Sequence, residues 1–558
     1  MRFFLNALLY ISLTCLAFFC LYYIRFIPAI DVKIDFESDP AFNYRMTDYI
    51  VKQGDIPKVD RLSAYPIGKD IKAILPTMMY RLCVLFYRFI NRFMFVRLDR
   101  AIFIFSALCG AMIFIPIYFL SFELYNNKAI SYVVAFFSGI IPAYLHRTFC
   151  YWYRYEVLGA PLLFMSLLFF IKAFNQKEYG RQVLNSVLSA IFMIFALAVW
   201  RMPVLFILFY MAALLYILIR EKNISKEWLI ITAITIGLPC VFILISKGHI
   251  FKKDFPFTYK LYPVTICQII AKRIWTDYKM GDIAKLLYYN QELVGVSISD
   301  LTKAIYLSYS AFFIPIYIIL YFKNRQRERA HHIIFIFLLL SFGSTILFAR
   351  NKIMLAPLVA IGLGEYLAES MKYNKTFRNT LLAVSALFLL KTSMDSCTLA
   401  KTRSPYFTKI RLELKEIINN INWKTPKDAV ILCDWSDGYT IQTYCNRPTI
   451  TDAFLEYNVI VDRIFTISRI YTSSDEKLLW DFCKKNGVTH IIVTRNIKKA
   501  HTLFAGLDYD LYYDKDGLPT EAGKKTVLYR LTYEPNSFKE LSLIHINNEF
   551  CLYRLRTV

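Results

Sequence analysis

The residues equipped for chemistry are the charged ones that interrupt an otherwise apolar chain. Residues 35–45, DFESDPAFNYR, hold Asp35, Glu37, Asp39 and Arg45, and residues 146–156, HRTFCYWYRYE, hold His146, Arg147, Arg154 and Glu156. SISD ends at Asp300, and ARNK sets Arg350 at the end of an apolar run. CDWSDGY places Asp434, Trp435, Ser436, Asp437, Gly438 and Tyr439 in one short loop. Carboxylates from separate segments suit a hard divalent cation, which takes oxygen ligands, and Asp39, Glu156 and Asp300 are the candidates. Pro40 restricts Asp39 to extended backbone. For any single residue, a solvated loop charge is an equally good reading. There are 12 cysteines, with no CxxC pair and no HExxH, so metal-thiolate spacing is absent. Cys433 and Cys445 flank the last loop and are close enough in sequence to pair in an oxidising compartment.

Those residues need a scaffold, and composition says which. The chain has 558 residues, 57% of them hydrophobic, and a mean hydropathy of +0.40. A soluble protein of this length keeps more polar surface, so the class is a membrane protein. The net charge of +24 is not gathered into a basic domain, which argues against nucleic acid. About 20 apolar residues span a bilayer. By that test the spans are 4–28, 102–122, 129–145, 157–174, 183–200, 201–220, 228–246, 303–322, 332–349, 352–368 and 378–394. Residues 73–91 are apolar but carry Arg81 and Arg88, which predicts a helix lying at the interface. With the N-terminus cytoplasmic, the basic loops KNRQRERAH and ESMKYNKTF face the cytoplasm. The loops 29–101, 146–156 and 247–302, and the tail 395–558, then share the opposite side. The expected domains are a multi-pass unit, 1–394, and an extracytoplasmic α/β domain, 395–558. Strands are expected at AVILCDW, THIIVTR and TVLYRL, with helices such as SDEKLLWDFCKKNG between them. Every distinctive polar cluster is thus expected on one face of the membrane.

The same segments resemble a known family. ESDPAFNYRMTDYIVKQG followed by AYPIGK resembles the first external loop of the catalytic subunit of oligosaccharyltransferase, typically a DPxFNYR-like stretch and then WYPLGR. HRTFCYWYRYE is similar to the second external loop, SISD to the SVSE or TIxE motif, and ARNKIMLAP to the arginine-bearing late span. DWSDGYTIQTYCNRPTITD resembles WWDYGYQI…GNRTTLAD, including Asn446-Arg447 and Asp452. The resemblance implies a GT-C fold of about eleven to thirteen transmembrane helices. It implies an inverting glycosyltransferase that moves a glycan from a polyprenyl (pyro)phosphate carrier to an asparagine of an acceptor polypeptide. Mn²⁺ or Mg²⁺ would polarise the leaving phosphate. Asp39 and Glu156 would hold the metal, with Asp39 and Asp300 also engaging the acceptor amide. Arg350, with Arg147 and Arg154, would take the donor phosphate, and residues 434–439 would bind the acceptor. The resemblance implies a plasma or inner membrane location, or the endoplasmic reticulum membrane in a eukaryote.

Two departures from the family pattern bear on this. Arg154 stands where the second motif normally has a metal-binding aspartate. Glu156 takes the role, or fewer protein ligands hold the metal, or Arg154 neutralises the phosphate directly. In the last motif, Ser436 stands at the central carboxylate. This keeps open a GT-C transferase that acts on a lipid, polysaccharide or hydroxyl acceptor, and an inactive paralogue serving assembly.

Overall fold

The computed structural model describes residues 2–30, 36–71, 76–221, 226–246, 268, 296–303, 306–324, 328–455, 457–495, 509–514 and 518–556. Asp35, nearly all of the expected loop 247–302, and the segment IKKAHTLF lie outside the described residues. The chain forms two compact units. The first comprises Met1–Lys33, Pro76–Ile250 and Gly295–Pro405, and the second Ile34–Leu75, Phe251–Val294 and Tyr406–Val558.

The first unit is helical because its apolar runs must satisfy every backbone group internally once water is gone. Among the described residues, nine helices are long and apolar enough to cross a membrane: Leu8–Ala29, Leu98–Tyr125, Glu156–Asn175, Tyr179–Val199, Pro203–Glu221, Lys226–Ile245, Arg329–Leu347, Ala349–Ser370 and Lys375–Thr402. The other two expected spans are shorter helices, Lys128–Ile140 and Ser308–Lys323. The first of these stops because Ile141, before Pro142, takes extended backbone (ψ 127°). The expected helix within 73–91 is present as Met78–Ile90, burying Met79, Tyr80, Cys83 and Val84 and exposing Leu85 and Phe89.

The second unit contains a short antiparallel pair, β1 (Val59–Asp60) and β2 (Lys69–Asp70). It also contains a four-stranded sheet of β3 (Ile431–Leu432), β4 (His490–Thr494), β5 (Leu541–Ile546) and β6 (Phe550–Leu555), in the order β3-β4-β6-β5. β3 and β4 are parallel, and the remaining pairs are antiparallel. Two predicted strands are found, in AVILCDW and THIIVTR. The third is not: TVLYRL forms the helix Val527–Tyr533, because Thr526 caps it by accepting from the Tyr529 N–H at 3.2 Å. The strands that complete the sheet are β5 and β6. Ile417, Ile421, Ile431, Ile441, Phe550 and Leu552 form a core between sheet and helices.

Candidate functional site

In the first unit the stretch 146–156 is buried by its own aromatics. Phe149, Cys150 and Tyr153 are fully enclosed, and the Cys150 N–H donates to Arg25 O at 3.1 Å. That anchoring turns three charged side chains together. Glu156 opens the helix Glu156–Asn175, where the helix dipole favours an anion. It is 1% exposed, Arg147 4% and Arg154 5%. Arg147 Nη2 lies 2.7 Å from Glu156 Oε1, Arg154 Nε 3.8 Å from the same oxygen, and Arg350 Nη2 3.9 Å from Oε2. The Trp152 indole N–H points at Oε1 from 3.4 Å, and both guanidiniums of the loop lie over the Trp152 ring, at 5.1 and 5.2 Å. Arg350 sits at the end of a span, in the 3-10 turn Ala349–Asn351 that opens Ala349–Ser370.

Asp300 lies in the 3-10 turn Ser299–Thr302 and is paired with Lys303, which, with the Ser297 hydroxyl, holds its carboxyl below the ordinary range. The Val296 N–H donates to Ile346 O at 3.1 Å, so the SISD turn is pinned near the end of the helix that precedes Arg350.

A second cluster lies wholly within the second unit. The helix Asp39–Gln53 starts at Asp39 rather than following an extended aspartate. Pro40 sits in the first turn, where its missing N–H costs nothing. Ser38 before it has φ 52°, a left-handed conformation for a residue with a side chain. This segment is stitched to the helix Trp435–Cys445. The Phe36 N–H donates to the Tyr444 hydroxyl at 2.6 Å, the Ser38 N–H to Thr440 Oγ1 at 3.1 Å, and Thr443 Oγ1 to Ala41 O at 3.1 Å. Phe42 stacks on Tyr439 with ring centres 4.6 Å apart.

Beneath that seam runs a buried polar network. Arg45 makes a bidentate pair with Asp60, at 2.9 and 2.7 Å, and also donates to Gln442 Oε1 at 2.8 Å. Burial alone would raise the Asp60 carboxyl, but the Arg45 guanidinium outweighs it and holds the group below the ordinary range. Gln442 donates to Thr449 Oγ1 at 2.7 Å and to Asp452 Oδ2 at 3.0 Å, and the Ser63 hydroxyl donates to the same carboxylate oxygen. Lys69, fully buried, sits 3.9 Å from Asp452 Oδ1 and is boxed by Phe454, Phe42 and Tyr439, at 4.1, 4.9 and 5.2 Å.

The sequence stretch expected to be a loop is therefore the start of a helix. Asp434 caps it, accepting from the Ser436 N–H at 2.9 Å. Trp435, Gly438 and Tyr439 are buried, and of the six candidate acceptor residues only Ser436 and Asp437 are partly exposed. A Cβ on Gly438 would meet Thr451 O and come within 2.8 Å of Asp452 Cα, so the position demands glycine. Cys433 and Cys445 are both free and buried, so the pairing left open by their spacing is not made. Lys69, Asp60 and Gln442 escaped the sequence reading. Lys69 ends the AYPIGK motif and Gln442 lies inside DWSDGYTIQ, so position within those motifs was the only signal.

The family described as "Oligosaccharyl transferase STT3, N-terminal" matches residues 11–405. The chain belongs to this oligosaccharyltransferase family. It is a glycosyltransferase and a multi-pass membrane protein. No curated protein sequence matches it. The fold is GT-C, as similar solved structures show. The apo oligosaccharyltransferase of Archaeoglobus fulgidus superposes with a TM-score of 0.74 at 13% identity, covering 96% of this chain and 80% of that one. The AglB enzyme of the same organism, in complex with an inhibitory peptide and a dolichol-phosphate, gives 0.74 at 12%, covering 95% and 79%. ArnT from Cupriavidus metallidurans bound to undecaprenyl phosphate gives 0.51 at 10%, covering 98% and 97%.

Family membership raises the question of Mn²⁺ or Mg²⁺. Among the described residues no group of three or more His, Cys, Asp or Glu gathers as a metal site. Among the described contacts, three guanidiniums lie within 4 Å of the Glu156 carboxylate. At an effective permittivity of about 20, a dication roughly 5 Å from one guanidinium is repelled by several kcal/mol. A cation held by Glu156 would have to share that carboxylate with Arg147, Arg154 and Arg350.

Proposed function

We propose that this oligosaccharyltransferase-family enzyme moves a glycan from a polyprenyl (pyro)phosphate carrier to an asparagine side chain, with inversion. The observation that carries the reading is the convergence of Arg147, Arg154 and Arg350 on one buried carboxylate. Guanidinium forks match phosphate oxygens, so the cluster is assigned the donor phosphate. The complexes of AglB with dolichol-phosphate and of ArnT with undecaprenyl phosphate support a lipid phosphate. The acceptor nitrogen bonds to the anomeric carbon while the carbon–oxygen bond to phosphate breaks, its electron pair leaving on the phosphate oxygen. Arginines stabilise that developing charge. The nitrogen loses its proton to a carboxylate, and Asp39 is assigned this contact, with Asp300 as a second acidic candidate. The partly exposed Ser436 and Asp437 are assigned to the acceptor peptide. The A. fulgidus enzyme tethered to a peptide containing an NVT sequon supports a peptide acceptor. The N-terminus is assigned to the cytoplasm and residues 395–558 to the opposite side, as an extracytoplasmic domain in a plasma, inner or endoplasmic reticulum membrane.

A second reading, transfer to a lipid, polysaccharide or hydroxyl acceptor, is favoured by Ser436 standing at the acceptor-reading carboxylate. The test is to incubate proteoliposomes of the full chain with a polyprenyl-pyrophosphate oligosaccharide and an Asn-X-Thr peptide. Glycosylated peptide is the expected product. An unmodified peptide beside a sugar-bearing alternative acceptor selects the second reading.

A further inference from the structure

We infer that Arg25 is a positioning residue for the loop 146–156. Buried in the first span, it grips the loop on either side of Phe149 and so aims Arg147, Arg154 and Glu156. The inference rests on the reading that this loop takes the donor's phosphate.

A cation inside a membrane-spanning helix is costly and persists where it is used. Arg25 lies in the span Leu8–Ala29 and is fully buried. Its hydrogen-bond acceptors are all neutral. Nε donates to Thr148 Oγ1 at 3.0 Å, Nη1 to Leu21 O at 2.7 Å and Nη2 to Gly139 O at 2.7 Å. The guanidinium also lies over the Tyr144 ring, 5.5 Å from its centre. The Leu21 bond stays within its own helix. The other two reach outward, one to the end of the helix Lys128–Ile140 and one to the loop. Thr148 passes the constraint on, because its hydroxyl accepts from Arg25 and donates to Tyr144 O at 3.0 Å. Two residues later the Cys150 N–H donates to Arg25 O at 3.1 Å. One residue therefore holds the loop by a side chain and by its backbone, at points between Arg147 and Arg154. Gly110 makes room for this crossing. A Cβ there would stand 2.7 Å from Arg25 Nε and 2.8 Å from Thr148 Cβ. An apolar side chain would fill the space without burying a charge. It could not bond a hydroxyl of the loop and a carbonyl of a neighbouring helix at once, which the guanidinium fork does.

The experiment titrates a fluorescent polyprenyl phosphate against the full chain in nanodiscs, reading both the Kd and the number of sites per chain. Thr148→Val keeps the volume of the side chain but removes the hydroxyl that Arg25 holds. It should raise the Kd by about tenfold, with the number of sites unchanged, as the loop's arginines lose their aim on the phosphate. Thr148→Ser keeps the hydroxyl and should stay within about threefold of wild type. Arg25→Lys keeps the charge but loses the fork and should weaken binding at least as much as Thr148→Val. Thr14→Val is the control. It breaks another polar contact between the same two helices, Thr14 Oγ1 to the Tyr132 hydroxyl at 2.5 Å, and should leave the Kd within about threefold. Fewer sites at a wild-type Kd in Thr148→Val would mean that Arg25 serves folding alone and would overturn the inference. So would a Kd raised equally by Thr148→Ser or by Thr14→Val. Both results leave the lipid-phosphate reading standing. Wild type that fails to bind the polyprenyl phosphate would sink that reading, and the inference with it.

Discussion

Gln442 donates to Asp452 Oδ2 at 3.0 Å while accepting from Arg45 at 2.8 Å, so one amide joins a cation and an anion that lie more than 400 residues apart in sequence. It ties the DPAFNYR segment to the NRPTITD segment of the second unit. An amide can do this because it carries a donor and an acceptor together. Gln442→Leu leaves buried partners unsatisfied and should cost about 1–3 kcal/mol. Gln442→Glu places a second carboxylate beside Asp452 and should cost at least as much. Thermal melting in detergent checks both, and an unchanged melt for either would show that the bridge carries no stability.

Gly438→Ala puts a methyl group into Thr451 O and Asp452 Cα. Backbone cannot yield as a flexible side chain can, so the variant should lose about 1–3 kcal/mol. It should also lose activity in parallel, since the same helix turn carries Ser436 and Asp437. A variant that melts like wild type would mean the helix start can shift.

Asp39→Asn is isosteric and should leave the melting temperature in place. If Asp39 handles the acceptor's proton, turnover should fall by about 10²- to 10⁴-fold. Near-normal turnover at saturating substrate would remove Asp39 from the chemistry.

Ser436→Asp restores a carboxylate in the partly exposed first turn. A hydrogen bond from the acceptor's hydroxyl to a charged group is worth about 1.5–3 kcal/mol, roughly a 10- to 150-fold gain in affinity for an Asn-X-Thr peptide. Peptide titration of the two proteins decides this. No change would mean that position 436 does not read the hydroxyl.

His490 is buried in β4, accepting from or donating to the Thr489 hydroxyl at 2.8 Å. Burial, with Arg554 and Arg447 nearby, pushes its imidazole down to about 4 from an ordinary 6.5. The unfolded chain therefore binds the proton more readily. Stability from this group is complete above about pH 6.5, falls as the pH drops, and is gone below about 4. Melting curves of wild type and His490→Asn across that range should differ in slope. Parallel curves would show that the imidazole is not the cause.

Hydropathy alone predicted where the chain becomes helical in the first unit, because a bilayer leaves a long apolar run no other way to satisfy its backbone. It could not show that the 129–145 run breaks at Ile141, which is a matter of one proline. In the second unit the local pattern failed at TVLYRL. A β-rich hexapeptide became a helix once Thr526 capped it, and the strands completing the sheet lay further on.

The residue types capable of chemistry were legible from the sequence: acids and arginines stand out against apolar chain wherever they occur. Their pairings were not. Arg154 reads as a misplaced cation in one dimension. Only the buried loop that turns it toward Glu156, with Arg147 and Arg350, makes it part of a cluster. Lys69 and Gln442 were silent for the same reason. Spacing along a chain reports side chains on one element, whereas ion pairs between remote segments exist only after packing has removed the water between them.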